Sequence, residues 1–191
     1  MKKYLSLVLI VVIAVAIALL FSSKKVVAPS TTESKPTPVS TAKIASPLDI
    51  SYLVDDEIIK LKDGKSVEKA APGSAGEITT EVFGEPVYGD IGFGKDASVM
   101  FLVQESTGTG VFFYIVAAYR ETGTPYGGAY KGSKAFFLGD RITPQTIKIV
   151  QGVVEVTYMT RKEKEAMSEE PTVVAKKYLI LKDGELVEKG N

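Results

Sequence analysis

The chain begins with one continuous apolar run and then changes to segments in which apolar and polar positions alternate. The run, YLSLVLIVVIAVAIALLF, covers residues 4–21 and contains no charged residue. About 20 apolar residues span a hydrocarbon core as a helix, because lipid leaves backbone groups no other hydrogen-bond partners. We therefore predict that residues 1–21 form a transmembrane signal anchor, with residues 4–21 in the membrane.

A cleaved signal peptide is the main alternative, and a buried soluble helix is the third. Signal peptides have apolar cores of about 7–15 residues, followed by small residues at the cleavage site. Here Leu19-Leu20-Phe21 ends the run, and Val26-Val27-Ala28 is a poor cleavage site. Lysines beyond the run weakly oppose export, but the very short N-terminal tail favours a C-terminal domain outside the cytoplasm. We therefore expect an uncleaved, single-pass membrane protein.

Residues 22–47 are rich in Ser, Thr and Pro, with prolines at positions 29, 36, 38 and 47. A segment of this composition buries too little apolar surface to fold, and its prolines favour extended conformers. We predict a disordered linker that holds the next domain away from the bilayer. A glycosylated or partner-binding segment is the alternative.

Residues 48–191 have the pattern of a β-rich domain. Residues 146–150 and 153–160 alternate on either side of Gln151-Gly152, which predicts a hairpin. Residues 97–104 and 111–120 are continuous apolar runs joined by a glycine-containing loop, and their β-branched and aromatic content favours a buried hairpin.

Two similar segments, EIIKLKDGKSVEK and YLILKDGELVEK, each contain Asp-Gly between strand-like residues. Asp-Gly is a strong signal for a two-residue hairpin turn. We predict hairpins across residues 57–69 and 172–189, which could pair with each other across the start and end of the domain.

Residues 162–169 (KEKEAMSE) predict one short helix, which Pro171 would end. We therefore predict one antiparallel, mainly β domain built of hairpins. If the short helix forms, the fold class would be α+β.

The amino-acid composition excludes several kinds of catalytic and metal-binding site. The chain has no Cys and no His, which excludes Ser-His-Asp and Cys-His nucleophiles, disulfides and the usual zinc sites. Its formal net charge is +0, so no electrostatic feature points to nucleic acid. Carboxylate pairs, a Ser-Lys arrangement or a tyrosine remain as possible chemistry. We expect no catalytic residue and no cofactor.

The stretch YGDIGFGKDA, residues 88–97, invites comparison with a calcium loop. Calcium takes about six to eight oxygen ligands, and only Asp90 and Asp96 supply carboxylates here. We interpret them as the remains of such a loop, and we expect a glycine-rich turn with no metal.

A contact surface is the remaining kind of site. The loop GTPYGG carries Tyr126, and Tyr130 follows shortly afterwards. Long loops with aromatic residues often carry binding functions. Asp140 and Arg141, in LGDRI, could form a clamp for an anion or a carbonyl group. We favour a structural role for this pair, in a turn with a paired arginine.

These segments resemble a known but uncharacterised family. Over about residues 71–181, the patterns YGDIGFGKDA, GTGVFFY and LGDRITPQ resemble a module of bacterial membrane-anchored or secreted proteins. In that family the glycine loop is richer in aspartate, and some members continue into a META domain. The resemblance implies a location in the cell envelope and assigns no activity. We expect that this protein differs from those members and has no META domain.

The sequence thus favours a membrane-tethered envelope domain that binds an envelope protein or a cell-wall partner, without catalysis. The alternative is a carboxylate-dependent hydrolase or carbohydrate-processing enzyme of the envelope. Two carboxyl groups about 5–10 Å apart across a pocket would favour the enzyme.

Overall fold

A computed structural model describes residues 46–108, 110–120 and 129–190. These residues belong to a compact unit that spans Lys43–Asn191. The predicted anchor, most of the predicted linker and Tyr126 lie outside the described residues. In the ranges that are described, no helix has the length and apolar character needed to cross a bilayer.

The described residues form strands, turns and one 3₁₀ turn at Pro47–Asp49, without an α-helix. The predicted mainly β class is therefore confirmed. The strands are β1 (Ser51–Val54), β2 (Glu57–Lys60), β3 (Lys65–Lys69), β4 (Glu77–Tyr88), β5 (Ser98–Ser106), β6 (Gly110–Arg120), β7 (Tyr130–Gly132), β8 (Phe136–Asp140), β9 (Thr143–Val150), β10 (Val153–Thr160), β11 (Val173–Lys182) and β12 (Glu185–Glu188).

The strands are arranged in a central sheet, an outer sheet and a separate hairpin. The central sheet has the order β3-β4-β5-β6, and both β7 and β8 pair with the long strand β6. The outer sheet has the order β12-β11-β10-β9, and β1 pairs with β2. The strand pairs in these sheets are antiparallel.

The middle strands of the central sheet, β5 and β6, are buried on both faces. One face carries Phe101 and Ile115, which belong to the same apolar cluster as Val154 and Leu179 of the outer sheet. The opposite face carries residues such as Leu102, which cluster with the β1–β2 hairpin. Burial on two faces explains why β5 and β6 are continuous apolar runs rather than alternating ones.

Three of the predicted hairpins are confirmed. Strand β5 pairs along its full length with β6, β9 and β10 meet at Gln151-Gly152, and β11 and β12 meet at Asp183-Gly184. The predicted hairpin over residues 57–69 is wrong. Its Asp63-Gly64 turn exists, with φ angles of 50° and 81°, and Lys62 bridges to Lys65.

Beyond that bridge the two arms separate into different layers. Strand β2 pairs with β1, whereas β3 pairs with β4 at the edge of the central sheet. The side chains of Ile59 and Leu61 are buried in the cluster between the β1–β2 hairpin and the central sheet. The turn chemistry therefore predicted the change of direction, but burial of these residues selected the strand partner.

The two Asp-Gly segments do not pair directly with each other. Lys134 instead connects the β1–β2 hairpin to the second segment, through parallel bridges to Leu53 of β1 and to Glu185 of β12. The backbone N–H of Lys134 donates to the carbonyl oxygen of Gly184 at 2.8 Å. The start and the end of the domain are thus joined through a third segment.

The predicted helix over residues 162–169 is also wrong, because this segment consists of turns. Lys164 has a positive φ of 71°, and Met167 is exposed. A short helix needs an apolar stripe that packs on the core, and this segment buries none.

Candidate functional site

The two aspartates of the predicted vestigial calcium loop serve different partners. Oδ1 of Asp90 accepts hydrogen bonds from the backbone N–H groups of Gly92 at 2.8 Å and Gly94 at 3.3 Å. Oδ2 of Asp96 accepts from Nε of Arg120 at 2.9 Å. Among the residues that the structure describes, no group of three or more acidic side chains is placed to hold a metal ion.

Tyr130 is tied into the fold beside this loop. Its hydroxyl donates to the carbonyl oxygen of Asp96 at 2.6 Å, and the guanidinium of Arg120 lies 4.3 Å from the centre of its ring. These contacts join β7 to the glycine loop, so the polar atom of Tyr130 has a structural partner. Tyr126, the other tyrosine of the predicted contact surface, lies outside the described residues.

Asp140 and Arg141 form the turn between β8 and β9. Oδ2 of Asp140 accepts from Nη1 of Arg141 at 2.7 Å, and its Oδ1 accepts from the backbone N–H of Val111 at 3.1 Å. Nη1 of Arg161 donates to the carbonyl oxygen of Arg141 at 2.8 Å. These bonds attach the turn to β6 and to the end of β10, which agrees with a structural role for the pair.

A different surface, the aromatic depression, combines apolar and polar groups in an open cavity of about 330 Å³. We define it by its five lining residues, which come from the β1–β2 turn and from β5, β6 and β8: Asp55, Gln104, Phe112, Tyr114 and Phe137.

Phe137 is the platform of the aromatic depression. Its ring centre lies 5.4 Å from that of Tyr114 and 6.3 Å from that of Phe112, and all of these rings are tilted. Tyr114 is only 2% exposed, whereas Phe137 is 52% exposed. Phe137 therefore packs on a buried aromatic residue while much of its own surface faces solvent.

The polar side of the depression is held by hydrogen bonds. The Tyr114 hydroxyl donates to Oδ2 of Asp55 at 2.5 Å, and Nε2 of Gln104 donates to Oγ1 of Thr80 at 3.2 Å. Burial, together with the bond to Asp55, raises the pKa of Tyr114, so its hydroxyl remains a donor at neutral pH. Oδ1 of Asp55 and Oε1 of Gln104 are acceptors that receive no hydrogen bond from any residue that the structure describes.

The sequence did not predict this surface. Phe112 and Tyr114 belong to the run that was correctly interpreted as a buried strand, and Phe137 belongs to a short strand beside it. The register between β6 and β8 shifts between Phe113 and Tyr114, which pairs Tyr114 with Phe137. The aromatic runs FFY and FF are the features of the sequence that could have indicated a contact surface. Which of these rings is exposed depends on the register shift.

A second depression, the inter-sheet cleft, lies between β4 and the edge strand β9, with a cavity volume of about 290 Å³. Phe83, Phe101 and Ile147 are among its apolar lining residues. Phe83 is 47% exposed and contacts Phe113 edge-to-face at 5.8 Å. It is therefore a half-exposed phenylalanine comparable to Phe137, at a different place on the domain.

No protein-family model, curated protein or solved structure matches this chain. The family resemblance drawn from the sequence stays a prediction.

Proposed function

We propose that the protein is a membrane-tethered domain of the cell envelope that acts as a binding module, and that the aromatic depression is its ligand surface. The apolar run at residues 4–21, the linker at residues 22–47 and the family resemblance support the envelope location. The choice of ligand surface is supported by the depression itself, which combines an exposed aromatic ring with polar side chains.

The observation that carries the binding proposal is the half-exposed ring of Phe137 beside two acceptors without a described partner. Ligand sites typically combine apolar or aromatic walls with a few polar groups that orient the ligand. The aromatic depression has both, and its polar atoms are positioned by Tyr114 and Thr80 from within the domain. A site held in this way needs little reorganisation to bind, which favours affinity.

The same depression favours binding over hydrolysis. Asp55 supplies the only carboxylate among its five lining residues, and one oxygen of that carboxylate accepts from Tyr114. Hydrolysis of a glycosidic bond by carboxylates uses two such groups about 5–10 Å apart. The lining of the depression supplies one.

The proposal is tested by hydroxyl-radical footprinting of the wild-type protein. The purified full-length chain is compared with the same chain in isolated, unfractionated envelopes, and oxidation is read at individual residues by mass spectrometry. Phe137 and Phe83 react by the same chemistry and have similar exposure, so Phe83 is an internal control. We expect oxidation of Phe137 to fall several-fold in envelopes, with oxidation of Phe83 unchanged.

Equal oxidation of Phe137 in the two samples would show that the depression has no occupant and would overturn the assignment. Equal protection of both phenylalanines would also count against it, because it would indicate general shielding rather than a ligand at one surface.

A further inference from the structure

We infer that the aromatic depression binds a sugar ring of an uncharged, hydroxyl-rich glycan. This inference rests on the proposed binding function and adds the chemical class of the ligand. It follows from three properties of the depression: an exposed aromatic ring, two hydrogen-bond acceptors among its lining residues, and a weak negative charge.

The exposed ring of Phe137 suits a ligand that has a flat apolar face. One face of a pyranose ring presents C–H groups, whereas its hydroxyl groups project from the ring edge. Such a face packs against an aromatic ring, whose electron-rich surface attracts the slightly positive C–H hydrogens. Phe112 and Tyr114 pack against Phe137, with ring centres 6.3 Å and 5.4 Å away, and these contacts restrict the platform before a ligand arrives.

The polar atoms call for a ligand that donates hydrogen bonds. Oδ1 of Asp55 and Oε1 of Gln104 are both acceptors, and the partners of Asp55 Oδ2 and Gln104 Nε2 lie within the domain. Covering these acceptors with an apolar side chain would leave them without hydrogen bonds, which is unfavourable. Sugar hydroxyls can donate to both while the ring packs on Phe137.

The charge around the depression selects against anionic ligands. Asp56 lies 3.4 Å from the ammonium of Lys134, and Asp140 lies 2.7 Å from the guanidinium of Arg141. These neighbouring acids are paired with cations, so Asp55 dominates the charge that a ligand meets. A sulfated, phosphorylated or uronate-rich glycan would place like charges beside it.

The arrangement of the rings also argues against a simple ammonium ligand. Cages for such cations surround the charge with the faces of several aromatic rings. Here Tyr114 is buried, and the rings pack against one another, so Phe137 presents the most exposed surface. An uncharged sugar needs one aromatic platform and nearby hydrogen-bond acceptors, and the depression is lined by Phe137 and by two residues with such acceptors, Asp55 and Gln104.

A single platform implies weak binding of a short oligosaccharide. A cavity volume of about 330 Å³ is near the lower end of ligand pockets, which range over about 300–1,000 Å³. One aromatic contact and two hydrogen bonds correspond to a dissociation constant on the order of 0.1–1 mM. Many such contacts along a polymer would still retain the domain by avidity.

The absence of tryptophan from the chain makes a direct test possible. Phe137→Trp keeps an aromatic platform and adds a single tryptophan, which can be excited selectively over tyrosine, at the depression, and Phe83→Trp places the same reporter at the inter-sheet cleft. Both full-length variants are purified without sugar-headed detergent. They are titrated with cellohexaose, chitohexaose and xylohexaose as uncharged probes, hexagalacturonate as the anionic probe and choline as the cationic probe.

We expect at least one uncharged hexasaccharide to shift and saturate the emission of Phe137→Trp, with no response from Phe83→Trp. Asp55→Asn, added to Phe137→Trp, should weaken that response roughly 3–10-fold, because a charge-assisted hydrogen bond becomes a neutral one. Hexagalacturonate should give no response at the same concentrations.

A response to choline or hexagalacturonate without one to the uncharged sugars would overturn the ligand class, and so would equal responses from both tryptophan variants. No response to any probe would also reject the saccharide assignment. The footprint of Phe137 in envelopes separates the two proposals: protection there, without a response to the sugars, would retain the binding function and reject only the ligand class.

Discussion

Asp90 holds the glycine loop between β4 and β5 with one carboxylate oxygen. That oxygen accepts from the backbone N–H groups of Gly92 and Gly94, whose φ angles are 96° and 97°. This geometry satisfies backbone donors in the same way as a helix N-cap, where an aspartate-to-alanine change costs about 1 kcal/mol. The acid therefore has a structural function that requires no metal.

At this scale we predict that Asp90→Ala lowers the free energy of unfolding by roughly 1 kcal/mol, equally with calcium and with a chelator. A calcium site with a dissociation constant of about 10 μM would stabilise the wild-type domain by about 2.7 kcal/mol at ~1 mM calcium. Thermal unfolding of both proteins in both buffers measures the difference. A calcium-dependent rise in Tm that Asp90→Ala abolishes would contradict the structural role.

Between elements, tight turns with left-handed backbone connect neighbouring strands. Three of them have glycine at the second turn position: Asp63-Gly64, Gln151-Gly152 and Asp183-Gly184. The β1–β2 turn has Asp55 and Asp56 instead, with φ angles of 46° and 68°. A left-handed conformation costs a non-glycine residue about 1–2 kcal/mol, although aspartate tolerates it better than most residues. Of these four turns, the one that carries Asp55 into the depression has two non-glycine residues in this conformation, so it bears the larger backbone cost.

We predict that Asp56→Gly raises the free energy of unfolding by about 0.5–1 kcal/mol, because glycine removes part of this cost. Loss of the exposed ion pair with Lys134 should offset little of the gain. The matched reverse change is Gly152→Asp, at an open position with φ 79° where a Cβ meets no atom within 4 Å. It should destabilise by about 1 kcal/mol. Urea unfolding checks both, and a loss of stability in Asp56→Gly would contradict the assignment of strain.

At the scale of the whole molecule, the β1–β2 hairpin and the outer sheet cover opposite faces of the central sheet, which gives the domain two apolar clusters. A unit with its own hydrophobic core can in principle fold without contacts to another part of the chain. The location of the domain outside the cytoplasm is a proposal that rests on the N-terminal sequence pattern.

We predict that protease added to intact spheroplasts digests the domain of residues 48–191 while a cytoplasmic control protein survives. The short basic start and uninterrupted apolar run of residues 4–21 motivate this expectation. Protection of the domain would show that the lysines beyond the run had set the opposite orientation. The intact mass of the cellular protein checks cleavage, and a chain that begins near residues 23–29 would contradict the anchor.

Local chemistry made several parts of the fold predictable. Gln151-Gly152 and Asp183-Gly184 are turns in which the glycine supplies a positive φ, and the strands on either side pair across the turn. The continuous apolar runs of β5 and β6 predicted a buried hairpin, since a strand that is covered on both faces needs no polar alternation. These features depend on neighbouring residues and on the sum of apolar surface.

Only the tertiary structure decided which surfaces meet. Asp63-Gly64 turns the chain as predicted, but burial of Ile59 and Leu61 takes β2 away from β3. Asp90 and Asp96 are close in sequence, yet they have different partners. Asp90 accepts hydrogen bonds from the loop backbone, whereas Asp96 accepts one from Arg120. The aromatic depression depends on a shift in register between β6 and β8. The sequence by itself determined the β class and three hairpins, because those depend on local preference and total hydrophobicity. The candidate site required the fold, because exposure and hydrogen-bond partners are properties of residues far apart in the chain.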